Sequence, residues 1–269
     1  LADGGHQGVL GMAFAPDFLQ PGSANYLYVL YNYKPTSYAS ADGLKKLVRY
    51  QYDAATQKLI SPTTIIENLP GGTDHNGGRV VYGPDKMIYI SLGEKGHNQF
   101  GHYMEPIEAQ KLPTATELAA GDYSSYVGKV IRITPDGAIP ADNPTIDGIK
   151  SHIYTLGHRN PQGLTFVDNK LYSIEHGPSS DDELNHLESG ANYGWPHIAG
   201  FQDNIGYRYA NWSAAPNKEN LNWDANIPAP GVPVQQETDW KEPANYRDPL
   251  KTFYTVRNDY NYHDADQYG

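Results

Sequence analysis

The chain has 269 residues, with 20 lysines and arginines against 31 aspartates and glutamates, a formal charge of −11 at pH 7. That balance argues against nucleic acid as a partner, which needs a basic face, and leaves many carboxylates for hard cations. There is no cysteine, which excludes disulfides, thiolate metal sites and cysteine nucleophiles. No apolar run approaches the roughly 20 residues of a membrane-spanning helix. Twenty-two tyrosines, 27 glycines and 20 prolines favour many short strands and many turns. All-β domains often run to this length as one unit, so a single domain over residues 1–269 is expected. Leu1 is not a Met, and the residues from 8 to 14 already read as a strand. The stretch Asp259-Tyr260-Asn261-Tyr262-His263-Asp264 is loop-like, so the chain reads as a domain cut at both ends.

In chain order, a pattern of glycine, strand, Asp turn and strand recurs. It appears first in Gly8-Val9-Leu10-Gly11-Met12-Ala13-Phe14-Ala15-Pro16-Asp17 followed by Tyr26-Leu27-Tyr28-Val29-Leu30-Tyr31. It returns in Gly78-Arg79-Val80-Val81-Tyr82-Gly83-Pro84-Asp85 with Met87-Ile88-Tyr89-Ile90-Ser91-Leu92, and in Gly163-Leu164-Thr165-Phe166-Val167-Asp168 with Lys170-Leu171-Tyr172-Ser173-Ile174. Outer strands are expected at residues 46–52 and 130–133. Repeated hairpin pairs at long spacing point to a β-propeller; an unrelated β-sandwich with Asp turns is the alternative. Two stretches break the pattern, residues 97–127, with a short helix expected at 114–118, and residues 202–250. Long loops of this kind are usually functional.

Polar clusters precede each repeat: His6-Gln7, Asp74-His75-Asn76-Gly77 and His158-Arg159-Asn160-Pro161-Gln162. In a propeller such loops converge near the axis. The last cluster belongs to Gly157-His158-Arg159-Asn160-Pro161-Gln162-Gly163, a short connection expected between strands at 152–156 and 164–167. His75 could act as a general base, with Asp74 binding a hydroxyl or tuning it. Arg159 and Asn160 could polarise a carbonyl, and Gln162 could orient a ligand edge. As residue patterns alone, solvated loops and Pro/Gly turns account for them equally. Glu175-His176-Gly177-Pro178-Ser179-Ser180-Asp181-Asp182-Glu183 suits Ca²⁺ ligation by carboxylates and carbonyls, or is an acidic turn. There is no GxGxxG on a strand-to-helix turn and no GxSxG elbow.

Several segments together resemble one family. They are Ala13-Phe14-Ala15-Pro16-Asp17-Phe18, Asp74-His75 with Gly78-Arg79, the Gly157 to Gly163 heptapeptide, Gly177-Pro178 with Glu183, and Asn192-Tyr193-Gly194-Trp195-Pro196. The sequence resembles the soluble quinoprotein glucose dehydrogenases, which use pyrroloquinoline quinone (PQQ) and calcium, and more broadly the aldose sugar and sorbosone dehydrogenases. The segments 154–166 and 199–218 set it nearer the glucose dehydrogenases. The resemblance implies an all-β, six-bladed propeller, of which this chain would hold about half. It implies oxidation of an aldose at C1 to the lactone, with electrons passed on to an external acceptor, and a periplasmic or secreted location. His75 would be the base, and Arg159 would hold the quinone with Asn160 and Gln162 beside it. Asp74, Gln99 and His6 would lie at the sugar. The carbonyls of Gly177 and Pro178 would ligate the Ca²⁺ at the quinone. Glu183, Tyr193, Ala199, Phe201, Asp203 and Glu237 would hold further Ca²⁺, some near a homodimer contact. Two positions depart from the family pattern: His6 stands where a Gln is expected, and Glu94 where an Asp is. A half-propeller would bind the quinone weakly or not at all by itself. A calcium-dependent propeller lactonase, or a calcium-stabilised propeller that only binds sugar, are the competing functions.

Overall fold

The structure is a computed structural model that describes residues 2, 4–36, 38, 40, 42–226 and 228–261. Its frame is three four-stranded antiparallel sheets. The first runs in simple order through β1 (Val9–Phe14), β2 (Tyr26–Tyr33), β3 (Leu44–Asp53) and β4 (Lys58–Pro70). The second holds β5 (Gly77–Tyr82), β6 (Ile88–Leu92) and β7 (Lys129–Ile133). Past a small hairpin of β8 (Thr145–Ile146) and β9 (Ile149–Lys150), it is completed by β10 (Ile153–Leu156). The third holds β11 (Asn160–Val167), β12 (Lys170–His176) and β13 (Asp182–Leu187). After a long excursion containing the hairpin β14 (Tyr209–Ala210) and β15 (Val234–Gln235), it ends with β16 (Lys251–Phe253). The repeat is thus a sheet of four strands in each copy. Among the described residues no strand of the third sheet pairs back to the first.

The first strands of the three sheets are neighbours, with β5 between β1 and β11. β1 and β5 touch backbone to backbone: a Cβ on Gly11 would lie 2.2 Å from the Gly78 carbonyl oxygen, so only glycine fits there. The middle sheet is covered on both faces, so β6 and β7 are buried at every residue. Side chains alternate across a strand, and they divide two cores between them. Ile88, Ile90, Leu92, Ile131 and Ile133 pack with Tyr28, Leu30, Leu47 and Ile66 of the first sheet. Tyr89 and Val130, on the opposite face, pack with Leu164, Leu171 and Leu187 of the third. Each such side chain contributes about 1.5–3 kcal/mol on burial.

Two expectations about strands need correction. The segments 46–52 and 130–133 lie in the third strands, β3 and β7; the outermost strands are β4, β10 and β16. The connection before the third sheet is also shorter than expected. Pairing begins at Asn160 against His176, so Asn160, Pro161, Gln162 and Gly163 already belong to β11, with a register shift between Pro161 and Gly163. The bulge lets a proline enter the strand.

The first interruption lies between β6 and β7. It contains α1 (Ala115–Ala120), close to the expected helix. Thr114 caps it by accepting from Glu117 N at 3.1 Å, and Glu117 Oε2 accepts from Thr114 N at 2.6 Å. Gly121 stops it in a left-handed turn at φ 66°. The second interruption lies between β13 and β16 and folds around Trp212, Ala215 and Val232, against which Tyr103 of the first packs. The Tyr103 hydroxyl donates to the Lys218 and Leu221 carbonyls at 2.9 and 2.8 Å. The two interruptions therefore form one body beside the sheets.

Candidate functional site

The three polar clusters meet where the first strands begin. His6 Nδ1 lies 2.8 Å from Asp74 Oδ1, and Asn76 Nδ2 donates to the His6 carbonyl at 3.0 Å. Gly77 N donates to Asn160 Oδ1 at 3.0 Å, and Glu94 N to the Arg159 carbonyl at 2.9 Å. His75 stands at the centre of this network, 8% exposed, in a left-handed backbone conformation of φ 38°. That conformation is uncommon for a residue with a side chain, and its surroundings demand it. A Cβ on Gly93 would lie 1.9 Å from the His75 carbonyl oxygen, so the end of β6 presses directly on this peptide.

The histidine's proton is assigned by its partners. Nδ1 lies 2.5 Å from Glu94 Oε1, a carboxylate that can only accept, so Nδ1 donates. Glu94 is itself 1% exposed and accepts from His97 N at 3.1 Å through its other oxygen. Nε2 is left with its lone pair, 3.4 Å from the Gln99 carboxamide nitrogen and 3.8 Å from Asp74 Oδ2. Burial raises the Asp74 carboxyl, but His75, its amide and His6 outweigh this and hold it below the ordinary value. Gln99 Oε1 accepts from Arg159 Nη2 at 3.2 Å, so one carboxamide joins the imidazole to the guanidinium.

The third sheet repeats the histidine–glutamate pair in a sealed form. His158 Nδ1 lies 3.2 Å from Glu175 Oε1, and Nε2 lies 2.8 Å from the Thr155 hydroxyl. His158 is wholly buried, and desolvation pushes it down to about 3. Of the two pairs, that of His75 has its outer nitrogen on the site.

Arg159 is 9% exposed, and burial lowers its guanidinium against the pull of Glu94 and other anions. It donates to the His176 carbonyl at 3.1 Å and lies 5.5 Å from the Trp195 ring centre. It lines a cavity of about 400 Å³ with Gln99, Pro178, Trp195, Tyr207 and Trp223. Among the described residues, two buried donors in that wall, Arg159 Nε and Trp195 Nε1, have no acceptor. Buried donors are almost always satisfied, so the cavity fits a ligand rich in oxygen, as a quinone with carboxylates is.

The remaining sequence candidates divide. Asn160, 4% exposed, is taken up in pinning Gly77. Gln162 Oε1 meets His176 Nε2 at 3.1 Å. Gly177 N donates to Asp182 Oδ1 at 2.8 Å, its carbonyl accepts from Ser179 N at 3.1 Å, and Pro178 borders the cavity. Glu237 is fully buried and accepts the amides of Ala199 and Asn204 at 3.0 and 2.8 Å. Glu183 accepts from Gly200 N at 2.7 Å and from Asn185 Nδ2 at 2.8 Å. Asp203 Oδ1 accepts from Ile205 N at 2.8 Å, and the Phe201 carbonyl from Asp203 N at 2.8 Å. The Tyr193 side chain is engaged elsewhere: its ring stacks on His158 at 4.9 Å and its hydroxyl donates to the His186 carbonyl. Burial pushes Glu237 up to about 7 and Glu183 well above the ordinary value. Carboxyls buried in this way fit a hard cation with carbonyl co-ligands. Among the described residues no three His, Asp or Glu side chains converge as a metal site by themselves.

Glu94 and Trp195 were the residues the sequence undervalued. Glu94 stood out only as a departure from the family pattern, one methylene longer than the expected Asp near the base, which put the tuning of that base in doubt. The available signal was repetition: a glutamate stands near the end of the second strand in both later sheets, Glu94 two residues past β6 and Glu175 the last residue but one of β12.

The profile of the Glucose / Sorbosone dehydrogenase family matches residues 1–243. Quinoprotein glucose dehydrogenase B of Acinetobacter calcoaceticus is 46% identical over 265 residues, covering 97% of this chain and 55% of that protein. Aldose sugar dehydrogenase YliI of Escherichia coli is 32% identical over 201 residues, covering 71% of this chain and 47% of the relative. The chain thus spans about half the length of these curated relatives. Among solved structures, the PQQ-bound aldose sugar dehydrogenase of Streptomyces coelicolor aligns with a TM-score of 0.62 at 28% identity, covering 94% of this chain and 56% of that one. The soluble aldose sugar dehydrogenase of Escherichia coli, in its apo form, aligns with a TM-score of 0.63 at 26% identity, covering 93% of this chain and 59% of that one. With a sequence profile covering nearly all of it and the same all-β architecture, the chain belongs to the glucose/sorbosone dehydrogenase family.

Proposed function

We propose that this chain carries the base and the guanidinium of a PQQ- and Ca²⁺-dependent aldose dehydrogenase, its three sheets being consecutive blades of a six-bladed propeller. The observation that supports it most is the link through Gln99, which holds His75 Nε2 and Arg159 together beside a cavity wall with two unsatisfied donors. His75 takes the proton of the aldose C1 hydroxyl on Nε2. Glu94, on Nδ1, fixes the tautomer and stabilises the imidazolium that forms. Asp74 and His6, with Gln99, bind sugar hydroxyls and set C1 before the base. Arg159 donates to ligand oxygens from its free Nε, and Asn160 acts from behind by holding Gly77. The Gly177 and Pro178 carbonyls would hold a calcium ion at the cofactor, and the Glu183 and Glu237 region a second. When bound, PQQ would supply the acceptor for the C1 hydride and Ca²⁺ would supply Lewis acidity, the aldose being oxidised to its lactone.

The test is sugar-dependent dye reduction by the complete gene product with PQQ and Ca²⁺. His75→Ala should lower kcat by about 10²–10⁴-fold. Turnover unchanged in that variant, or lactone hydrolysis without any quinone, would sink the reading.

A further inference from the structure

Two lysines are wholly buried, each at the start of a third strand: Lys45 in β3 and Lys129 in β7, both at 0% exposure. Burying an ammonium group is costly, and an apolar side chain would fill either place more cheaply. Both donate to backbone carbonyls, Lys45 in the turn that leads into the next sheet and Lys129 in the interruption between β6 and β7. Lys45 Nζ donates to the Asn76 carbonyl at 2.6 Å, in the turn between His75 and β5. Lys129 Nζ donates to the carbonyls of Val127, Ala109 and Glu108 at 2.7, 2.8 and 3.3 Å. The Ala109 carbonyl also accepts from Gly157 N, and the Gly128 carbonyl from His158 N, both at 3.1 Å. Those amides open the turn that carries Arg159.

We propose that these lysines are positioning residues, Lys45 for His75 and Lys129 for Arg159. The inference rests on the site reading above only for the choice of those two side chains. His75 holds an uncommon backbone conformation, which persists only when its neighbours over-determine it. Its amide is fixed by Asp74 Oδ1 at 2.8 Å, and its carbonyl accepts from Lys95 N at 3.3 Å. The peptide that follows is fixed by Lys45 through the Asn76 carbonyl, while the Asn76 side chain is held by Asn32 Nδ2 and Gly72 N at 3.2 and 3.1 Å. Lys95, the other cation acting on Lys45, is engaged with Asp42 at 2.7 Å. Without the lysine, the peptide between Asn76 and Gly77 loses a restraint and the imidazole its aim at Glu94.

The test is nuclear magnetic resonance on the ligand-free chain labelled with ¹⁵N histidine and arginine, with His75 signals identified through His75→Asn. The wild type should show a far-downfield His75 Nδ1 proton, bonded to Glu94. Lys45→Met should lose it while keeping the wild-type circular dichroism, and Lys129→Met should retain it. The Arg159 Nε proton should shift in Lys129→Met and stay in place in Lys45→Met. Variants that move both signals, or neither, overturn the proposal. Should Lys45→Met not fold, Lys45→Arg decides: it keeps donor and charge but reaches further, so a shifted His75 signal supports the proposal and an unchanged one overturns it. The readout involves no sugar and no quinone. A failed dehydrogenase assay would sink the catalytic reading and leave this result standing.

Discussion

A histidine works as a base from the nitrogen its neighbours leave free. At His75 that choice is made by Glu94 at 2.5 Å. Replacing Glu94 by Gln keeps a hydrogen-bonding partner but removes the charge. Losing a charge-assisted bond of about 1.5–3 kcal/mol should lower kcat by roughly 10–100-fold with KM little changed, read in the same dye assay. Had the carboxylate no role, Glu94→Gln would turn over like wild type. Gly93→Ala probes the same residue from the backbone side, since its methyl would stand 1.9 Å from the His75 carbonyl oxygen. It should cost about 1–3 kcal/mol, seen as a lower melting temperature. At this scale the sequence was informative about types and silent about aim. His75 and Arg159 could be named from the string because base and guanidinium carry their chemistry with them, whereas Gln99 was named only through the family resemblance. That Gln162 faces His176, and that His158 is sealed while His75 is not, depends on strand register and burial, which no single residue encodes.

At the scale of elements, strands were legible where one face was apolar or the whole run was buried, as in β2 and β6. The start of β11 was not. Asn-Pro-Gln-Gly reads as a turn, and only the bulge opposite Glu175 and Ile174 lets it pair. The helix at α1 was expected at 114–118, and the structure adds its Thr-x-x-Glu cap. The body formed by the two interruptions was not, because it packs on scattered tryptophans without a period. That body also holds Glu237 against Ala199 and Asn204. If calcium occupies this region, adding it should raise the melting temperature, by about 2.7 kcal/mol of stability at 100 times the dissociation constant. Glu237→Gln should abolish the response, and a rise that persists in that variant would place the ion elsewhere.

Across the whole molecule, the central sheet joins two cores, and the buried lysines at its margins link stability to pH. Desolvation lowers Lys45 and Lys129 from 10.5 to about 7. Between those values the unfolded chain holds protons the folded chain has released, so stability rises with pH, by up to about 1.4 kcal/mol per unit for each group. Buried tyrosines such as Tyr126, raised above their ordinary value of 10.0, act in the opposite sense at higher pH. Denaturation midpoints should therefore climb from about pH 7.5 to 9.5. The slope should fall in Lys45→Met, and a flat wild-type profile would contradict the assignment.

The third sheet receives its last strand, β16, only after the chain has run through residues 188–250. Closing so long a loop adds little thermodynamic cost, about 0.6 kcal/mol for each doubling of length. Its effect is on order and coupling. β16 is a clasp: by pairing with β13, Lys251–Phe253 returns to the third sheet the far end of the excursion that carries Trp212 and Trp223. A pull or a cut at the clasp would leave that wall held by its contacts with the first interruption and with Glu183, and would loosen the cavity while the other two sheets kept their pairing.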